Sequence, residues 1–118
     1  MHIDNEKFAE TIAPFFVSEY EGTYSLCLEA GFYLTELFET RADEGFLGNG
    51  YDWESLAQVF LDEIYEDDAD DFEFDSEAGM FCVYSDDEES LAKFALAFKN
   101  ACEDAALISD LFSRAELQ

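Results

Sequence analysis

The chain has 118 residues, of which 30 are Asp or Glu and only 5 are Lys or Arg, giving a formal net charge of -25. Such a surface repels nucleic acid and anionic membranes, because both carry negative phosphates, and it attracts basic proteins. Mild acidity would serve solubility or adaptation to high salt, but at this charge self-repulsion destabilises the folded chain. The composition therefore favours a basic protein partner and argues against nucleic acid or membrane as the partner.

The hydrophobic fraction is 49% and the aromatic fraction 17%, so the chain can bury a core despite its charge. The three cysteines, Cys27, Cys82 and Cys102, form no CxxC pair, and their odd number is a poor disulfide framework. We expect buried free thiols in a reducing compartment. The first residues do not read as a signal peptide, and no stretch approaches the about 20 apolar residues of a membrane span. A cytoplasmic location is expected.

The first part of the chain predicts a weak helix and a hairpin. A faint helical pattern covers residues 4–13 and ends at Pro14. Residues 15–20 and 23–29 read as strands split by a short glycine turn, which is typical of a hairpin. In the second strand, Tyr24, Leu26 and Leu28 face one way and Thr23, Ser25, Cys27 and Glu29 the other. A short helix over 34–43 follows.

The segment 48–64 carries the clearest structural pattern. Gly48 and Gly50 allow a sharp turn, and Asp52 stands where an N-cap residue is expected. Apolar residues then recur at the spacing that lines one face of a helix: Trp53, Leu56, Ala57, Phe60, Leu61 and Ile64. The pattern predicts a central helix over about 52–65, with the only tryptophan as an anchor of the core.

After this helix, an acidic run at 66–71 reads as a solvated connection. Residues 72–75 and 80–85 read as a second hairpin. A capping box at 85–88 opens a long helix, in which a break is expected near 104–109 before a short last helix. Two antiparallel hairpins with helices after each predict an α+β fold, namely a mainly antiparallel four-stranded sheet with helices packed on one face. No domain linker interrupts the pattern, so one domain over 1–118 is expected.

Residues suited to catalysis are scarce. His2 is the only histidine, and the acidic surroundings should raise the pKa of the cysteine thiols, which opposes thiolate chemistry. Zinc would need histidines or clustered cysteines, and the acidic runs at 67–77 and 86–89 lack the ligand pattern of an EF-hand. We therefore predict a protein that is not an enzyme and that has no cofactor and no dedicated metal site, although weak binding of divalent cations stays open.

What remains is recognition of a partner by acidic clusters interleaved with tyrosines, since aromatic anchors ringed by charge are common in protein interfaces. Each tyrosine taken alone fits an edge of the core better, but the surface as a whole favours a basic partner. The predicted partner-binding residues are Tyr51, Asp62, Glu63, Tyr65, Glu66, Asp67, Asp68, Asp70, Asp71, Asp86, Asp87, Glu88 and Glu89.

Two segments are the most distinctive, Gly48-Asn49-Gly50-Tyr51-Asp52-Trp53-Glu54 and Glu77-Ala78-Gly79-Met80-Phe81. Shorter ones are Pro14-Phe15-Phe16, Tyr24-Ser25-Leu26, Glu29-Ala30-Gly31 and Tyr84-Ser85. Together they resemble the immunity protein 51 family of bacterial polymorphic toxin systems, over about residues 13–100. In this pattern residues 1–12 are an N-terminal extension, and 107–118 form a short C-terminal helix beyond it.

The resemblance implies a small cytoplasmic antidote that binds and blocks a cognate toxin domain and is not an enzyme. Toxins of these systems are often nucleases with basic surfaces, so the resemblance and the charge indicate the same kind of partner. Two alternatives stay open. One is an acidic DNA-mimic inhibitor of DNA-binding proteins, which wants carboxylates along one elongated face. The other is a small carboxylate-dependent hydrolase, which needs a cleft with two facing acids.

Overall fold

The computed structural model describes residues 6–64 and 72–117, which form five α-helices and a four-stranded antiparallel sheet. The helices are α1 (Glu6–Ile12), α2 (Thr35–Glu39), α3 (Gly50–Glu63), α4 (Glu88–Glu103) and α5 (Ala105–Phe112). The strands are β1 (Phe16–Tyr20), β2 (Thr23–Glu29), β3 (Glu73–Phe74) and β4 (Met80–Ser85), in the order β1-β2-β4-β3. The predicted α+β fold is confirmed. The helix predicted over 34–43 is shorter, because a separate 3-10 turn (Ala42–Glu44) follows α2.

The two hairpins join through β2 and β4, which pair antiparallel with Cys27 opposite Cys82 and Leu28 opposite Phe81. Because side chains alternate between the two faces of a strand, Leu28 and Phe81 share one face with Leu26 and Val83. All four are buried in the core. Helix α3 contacts β4, and helix α4 contacts both β2 and β4. The packing of every helix on one face stays a prediction.

Aromatic rings around Trp53 dominate the core. Trp53 is fully buried, and its ring stacks on Tyr33 with the centroids 5.9 Å apart. Phe15 and Phe98 meet it edge-on, at 5.8 Å and 6.1 Å. Each such pair stabilises the fold by about 0.5–1.5 kcal/mol beyond the area it buries. The prediction that Trp53 anchors the core is confirmed.

Helix α3 begins at Gly50, with Asn49 rather than Asp52 as its N-cap. The side chain of Asn49 accepts from the backbone N–H of Asp52 at 2.9 Å, and the Asp52 carboxylate accepts from that of Asn49 at 3.4 Å. The two residues thus form a reciprocal capping box. Asp52 Oδ2 also accepts from the backbone N–H groups of Leu47 (2.6 Å) and Gly48 (2.8 Å). The prediction of Asp52 as the N-cap is wrong, since this carboxylate closes the preceding loop from inside the first turn.

Gly50 explains why the helix starts there. Its N–H donates to the carbonyl of Ala78 at 3.0 Å. A Cβ at this position would lie 1.9 Å from the carbonyl oxygen of Glu77 and 2.4 Å from that of Met80. Only glycine therefore lets the start of α3 lie against the turn between β3 and β4. The two most distinctive segments of the sequence meet at this contact.

Helix α4 is capped by Asp87, whose carboxylate accepts from the N–H of Ser90 at 3.1 Å. The predicted capping box from Ser85 to Glu88 is wrong. Ser85 is still the last residue of β4, and its hydroxyl accepts from the N–H of Asp87 at 3.1 Å. The chain has to leave the sheet before a helix can start, so the cap falls two residues later.

The predicted break near 104–109 is confirmed at Asp104, which ends α4 and is the N-cap of α5. Its carboxylate accepts from the N–H of Leu107 at 3.1 Å. Helix α5 therefore starts at Ala105, slightly earlier than the predicted 107.

The end of α5 is held by Arg41. The guanidinium donates to the carbonyl oxygens of Phe112 (2.5 Å) and Ala115 (2.8 Å), and it forms a bidentate pair with Glu44. It also lies over the ring of Phe46, 4.5 Å from the centroid. One side chain therefore joins the segment after α2 to the end of the last helix.

Candidate partner-binding surface

The predicted partner-binding residues do not form one group. Tyr65, Glu66, Asp67, Asp68, Asp70 and Asp71 lie outside the described residues. Of the rest, the acidic residues form what we call the acidic end: Asp62 and Glu63 at the end of α3, and Asp86, Asp87, Glu88 and Glu89 at the start of α4. Trp53 packs beside Phe98, and Phe60 packs beside Phe94, so α3 and α4 run antiparallel. This orientation brings the two acidic groups to the same end of the helix pair.

Tyr51 does not lie with them. It is in the first turn of α3, eleven residues before Asp62, which at about 1.5 Å per residue puts it roughly 16 Å away along the helix. The Tyr51 side chain is 42% exposed and therefore accessible. Tyr51 and the acidic end therefore lie at opposite ends of α3, and their binding to a partner stays a prediction.

Several carboxylates of the acidic end are already engaged within the chain. Arg114 donates to both oxygens of Glu63, at 2.6 and 2.7 Å, and this hydrogen bonding lowers the pKa of Glu63. Asp87 caps α4, and Glu89 pairs with Lys93 at 3.4 Å. The acidic end is therefore less available to a partner than its composition suggests.

The basic residues have a one-sided distribution. The five are Lys7 in α1, Arg41 after α2, Lys93 and Lys99 in α4, and Arg114 after α5. No Lys or Arg occurs between Lys7 and Arg41 or between Arg41 and Lys93. All four strands lie in these two stretches. Four basic side chains pair with carboxylates of the helices and adjoining turns: Arg41 with Glu44, Lys93 with Glu89, Lys99 with Glu103, and Arg114 with Glu63 and Asp110. Positive charge thus offsets the carboxylates of the helical part of the molecule, and none comes from the strands.

The sheet has a second face, opposite the one that carries Leu26 and Val83. We call this second face the open sheet face. The strand register places on it Phe16, Ser18, Tyr20, Thr23, Ser25, Cys27, Glu73, Asp75, Cys82 and Tyr84. Tyr20 is 75% exposed and Phe16 is 43% exposed. Sequence reasoning did not select this face as a site, although the alternation along β2 already separated its residues from those of the core.

A groove of about 360 Å³ crosses the open sheet face. It is lined by Tyr20, Glu21, Thr23, Ser25, Asp75, Cys82 and Tyr84. Glu73 lies opposite Tyr84 in the β3–β4 pair, and interaction with its carboxylate raises the pKa of the Tyr84 hydroxyl. Two tyrosines and two carboxylates, Glu21 and Asp75, therefore line one concave site.

Cys27 and Cys82 lie side by side on this face, with their Sγ atoms 3.5 Å apart. Cys27 is buried and Cys82 half-buried, and all three cysteines of the chain are free thiols. The two thiols share a hydrogen bond in which either can donate, and this contact raises the pKa of Cys27 and lowers that of Cys82. Hydrogen bonding with Cys27 lowers the pKa of Cys82, whereas burial and the nearby Asp75 raise it. Burial raises the pKa of Cys102.

Three further features of the described residues concern metal binding, membrane spans and a second groove. Within residues 6–64 and 72–117, no three His, Cys, Asp or Glu side chains lie together as metal ligands would. The helices in the same ranges are all too short or too polar to cross a membrane. A further groove, of about 580 Å³, lies between α2 and the α4–α5 junction and has Leu34, Leu37 and Ile108 among its lining residues.

Comparison with known proteins first defines the class. A family model described as Immunity protein 51 matches residues 15–117, which include both hairpins and helices α2 to α5. The chain belongs to the Immunity protein 51 family. The resemblance noted in the sequence is confirmed, and the match extends past residue 100 to include α5. Comparisons with curated proteins and with solved structures gave no match. Membership of this family supports a role in toxin immunity and suggests an inhibitor that is not an enzyme.

Proposed function

We propose that this protein neutralises a cognate toxin by binding a basic, nuclease-like toxin domain one-to-one and blocking its activity. The observation that carries the proposal is the uneven charge. At a net charge of -25, four of the five basic residues pair with carboxylates of the helical part, and the strands contain no basic residue. Family membership supports the immunity role, and the charge supports the basic character of the partner.

The carboxylates that have no basic partner in the chain attract the toxin before the two proteins touch. A negative field attracts a positively charged partner over a distance and raises the association rate, most strongly at low salt. A toxin that binds nucleic acid needs a positive surface for its own substrate. An acidic antidote competes for that surface or binds beside it. The proposal includes a cytoplasmic location, which the three free thiols support.

The proposal is tested by co-expression in a sensitive bacterial strain. The gene immediately upstream is expected to encode a long secreted protein with a variable C-terminal toxin domain. That domain is expressed alone and together with this chain, and growth is recorded. We expect the domain to stop growth and the chain to restore it, whereas no restoration by a chain that accumulates as a folded protein would refute the proposal.

A second measurement separates this function from a DNA mimic. The purified chain is mixed with the toxin domain and, separately, with unrelated basic proteins such as lysozyme and a histone. A toxin antidote binds its own toxin far more tightly than it binds the others. Equal binding to all of them would favour the DNA-mimic alternative.

A further inference from the structure

Building on the proposed function, we propose that the partner docks on the open sheet face rather than on the ends of the helices. The groove between Tyr20 and Tyr84 then receives an arginine or lysine side chain of the toxin. The proposal commits to one occupant, a basic protein surface with a protruding cationic side chain.

The lining of the groove fits a cation. The aromatic rings of Tyr20 and Tyr84 offer the negative faces that attract a guanidinium or an ammonium group, and the carboxylates of Glu21 and Asp75 can accept its hydrogen bonds. A planar guanidinium suits both contacts, since it stacks on rings and pairs with carboxylates in a bidentate manner. A phosphate or another carboxylate would be repelled by the same lining.

Besides its fit to a cation, the open sheet face carries exposed aromatic residues, as protein interfaces do. Tyr20 is 75% exposed and Phe16 is 43% exposed, at the two ends of β1 on the same face, with Ser18 between them. Tyrosine and other aromatic residues are enriched among the residues that contribute most to binding at protein interfaces. Burial of these rings against a partner would remove apolar surface from water, which carboxylates alone do not provide.

Charge distinguishes the open sheet face from the acidic end. At the acidic end, Arg114 and Lys93 already pair with carboxylates of the chain. The strands contain no basic residue, so the carboxylate of Asp75, which directly follows β3, has no cation on β3 or on the other strands. A cation of the partner therefore forms a more favourable charge pair on the open sheet face than at the acidic end, where cations of the chain already pair with the carboxylates.

The groove and the start of α4 lie at the same end of the sheet. Tyr24 lies opposite Ser85 in the sheet, so the turn between β1 and β2 is at the same end as the start of α4. The acidic residues from Asp86 onward therefore lie at the same end of the sheet as the groove. We infer that they attract the partner over a distance, and that the tyrosines and Asp75 hold it.

The first test uses the full-length chain and nona-arginine peptide as the probe, so it does not depend on the identity of the toxin. Peptide is titrated into isotope-labelled protein and the backbone amide shifts are followed by NMR. We expect the largest shifts at residues 20–25, 75 and 82–84. Shifts confined to 62–63 and 86–89 would overturn the proposal.

Matched variants sharpen this test. Tyr20→Ala and Asp75→Asn change exposed side chains of the groove, and both should weaken peptide binding by about fivefold or more, as expected for a cation over an aromatic ring or a lost charge pair. Tyr51→Ala and Asp62→Asn change the same residue types on α3 and should leave binding within about twofold. The reverse ranking would assign the site to the helices.

The second test uses the toxin domain from the co-expression experiment. Cys82 is the half-buried thiol of the groove, whereas Cys102 is buried in α4 away from it. Iodoacetamide labelling of Cys82 should slow severalfold in the complex. An unchanged Cys82 rate in a complex that still restores growth would refute the docking site and leave the proposed function standing. Failure to restore growth would refute the function, and the peptide titration would still decide the site.

Discussion

Gly50→Ala is the substitution that the fold should tolerate least for its size. The added Cβ would lie 1.9 Å from the carbonyl oxygen of Glu77, whereas ordinary contacts of this kind begin at 3.4 Å. The obstacle is backbone rather than a flexible side chain. The start of α3 and the turn between β3 and β4 would have to separate by about 1.5 Å.

The cost follows from two terms. Overpacking that moves backbone costs about 1–3 kcal/mol and sometimes more. Separation of the two segments also breaks the hydrogen bond from Gly50 N–H to the carbonyl of Ala78, which contributes about 0.5–1.5 kcal/mol net. We therefore expect Gly50→Ala to lower the free energy of unfolding by about 3 kcal/mol, out of the about 5–15 kcal/mol typical of a domain.

Gly79→Ala is the matched control. Gly79 lies in the same turn, but a Cβ there would have no atom of another segment within 4 Å. An alanine at such a position leaves stability unchanged or raises it by about 0.4–1 kcal/mol through the unfolded state. Both variants are unfolded in urea and followed by the fluorescence of Trp53, which is fully buried three residues after Gly50 in α3. Gly50→Ala and Gly79→Ala of equal stability would refute the reasoning.

Three further substitutions or treatments test other contacts. Arg41→Lys keeps the charge but loses the planar fork, so we expect a loss of about 1.5–3 kcal/mol in urea unfolding; a change below about 0.5 kcal/mol would contradict the role of the guanidinium. Diamide should join Cys27 to Cys82 and leave Cys102 free, as read by peptide mass mapping; disulfides to Cys102 would contradict the 3.5 Å pair. The pKa of Glu63 is lowered by Arg114, so its contribution to stability is present above the unfolded-state pKa and is lost as pH falls through the folded-state value. Glu63→Gln should therefore be less stable than the native chain at pH 7, and the difference should shrink as pH falls below the unfolded-state pKa of Glu63; a difference that does not shrink on acidification would contradict this ion pair.

Much of the fold could be predicted from local pattern. Alternation along β2 and the helical spacing after Gly50 are set by side chains close in sequence. Both predictions agree with the structure except at Ile64, which was expected on the buried face but follows the end of α3 and is 52% exposed. The predicted caps differ from those of the structure. Asn49 and Asp52 are both polar residues able to cap, and which of them does so depends on the contact of Gly50 with the carbonyl of Glu77, far along the chain.

The same limit applies to the site. The acidic runs stand out in the sequence, but the pairing of Glu63 with Arg114 joins residues that only the tertiary fold brings together. The alternation along β2 shows that Ser25 and Cys27 face away from Leu26, but it does not say which face is covered. That depends on the strand order β1-β2-β4-β3 and on where α3 and α4 pack.

The central claim is that the chain blocks a toxin by binding it. The most direct measurement titrates the purified chain into a fixed amount of the upstream toxin domain and records the residual toxin activity, with nucleic acid as the first substrate tried. The account predicts a linear fall that ends at one chain per toxin domain. Full toxin activity in the presence of excess folded chain would contradict it.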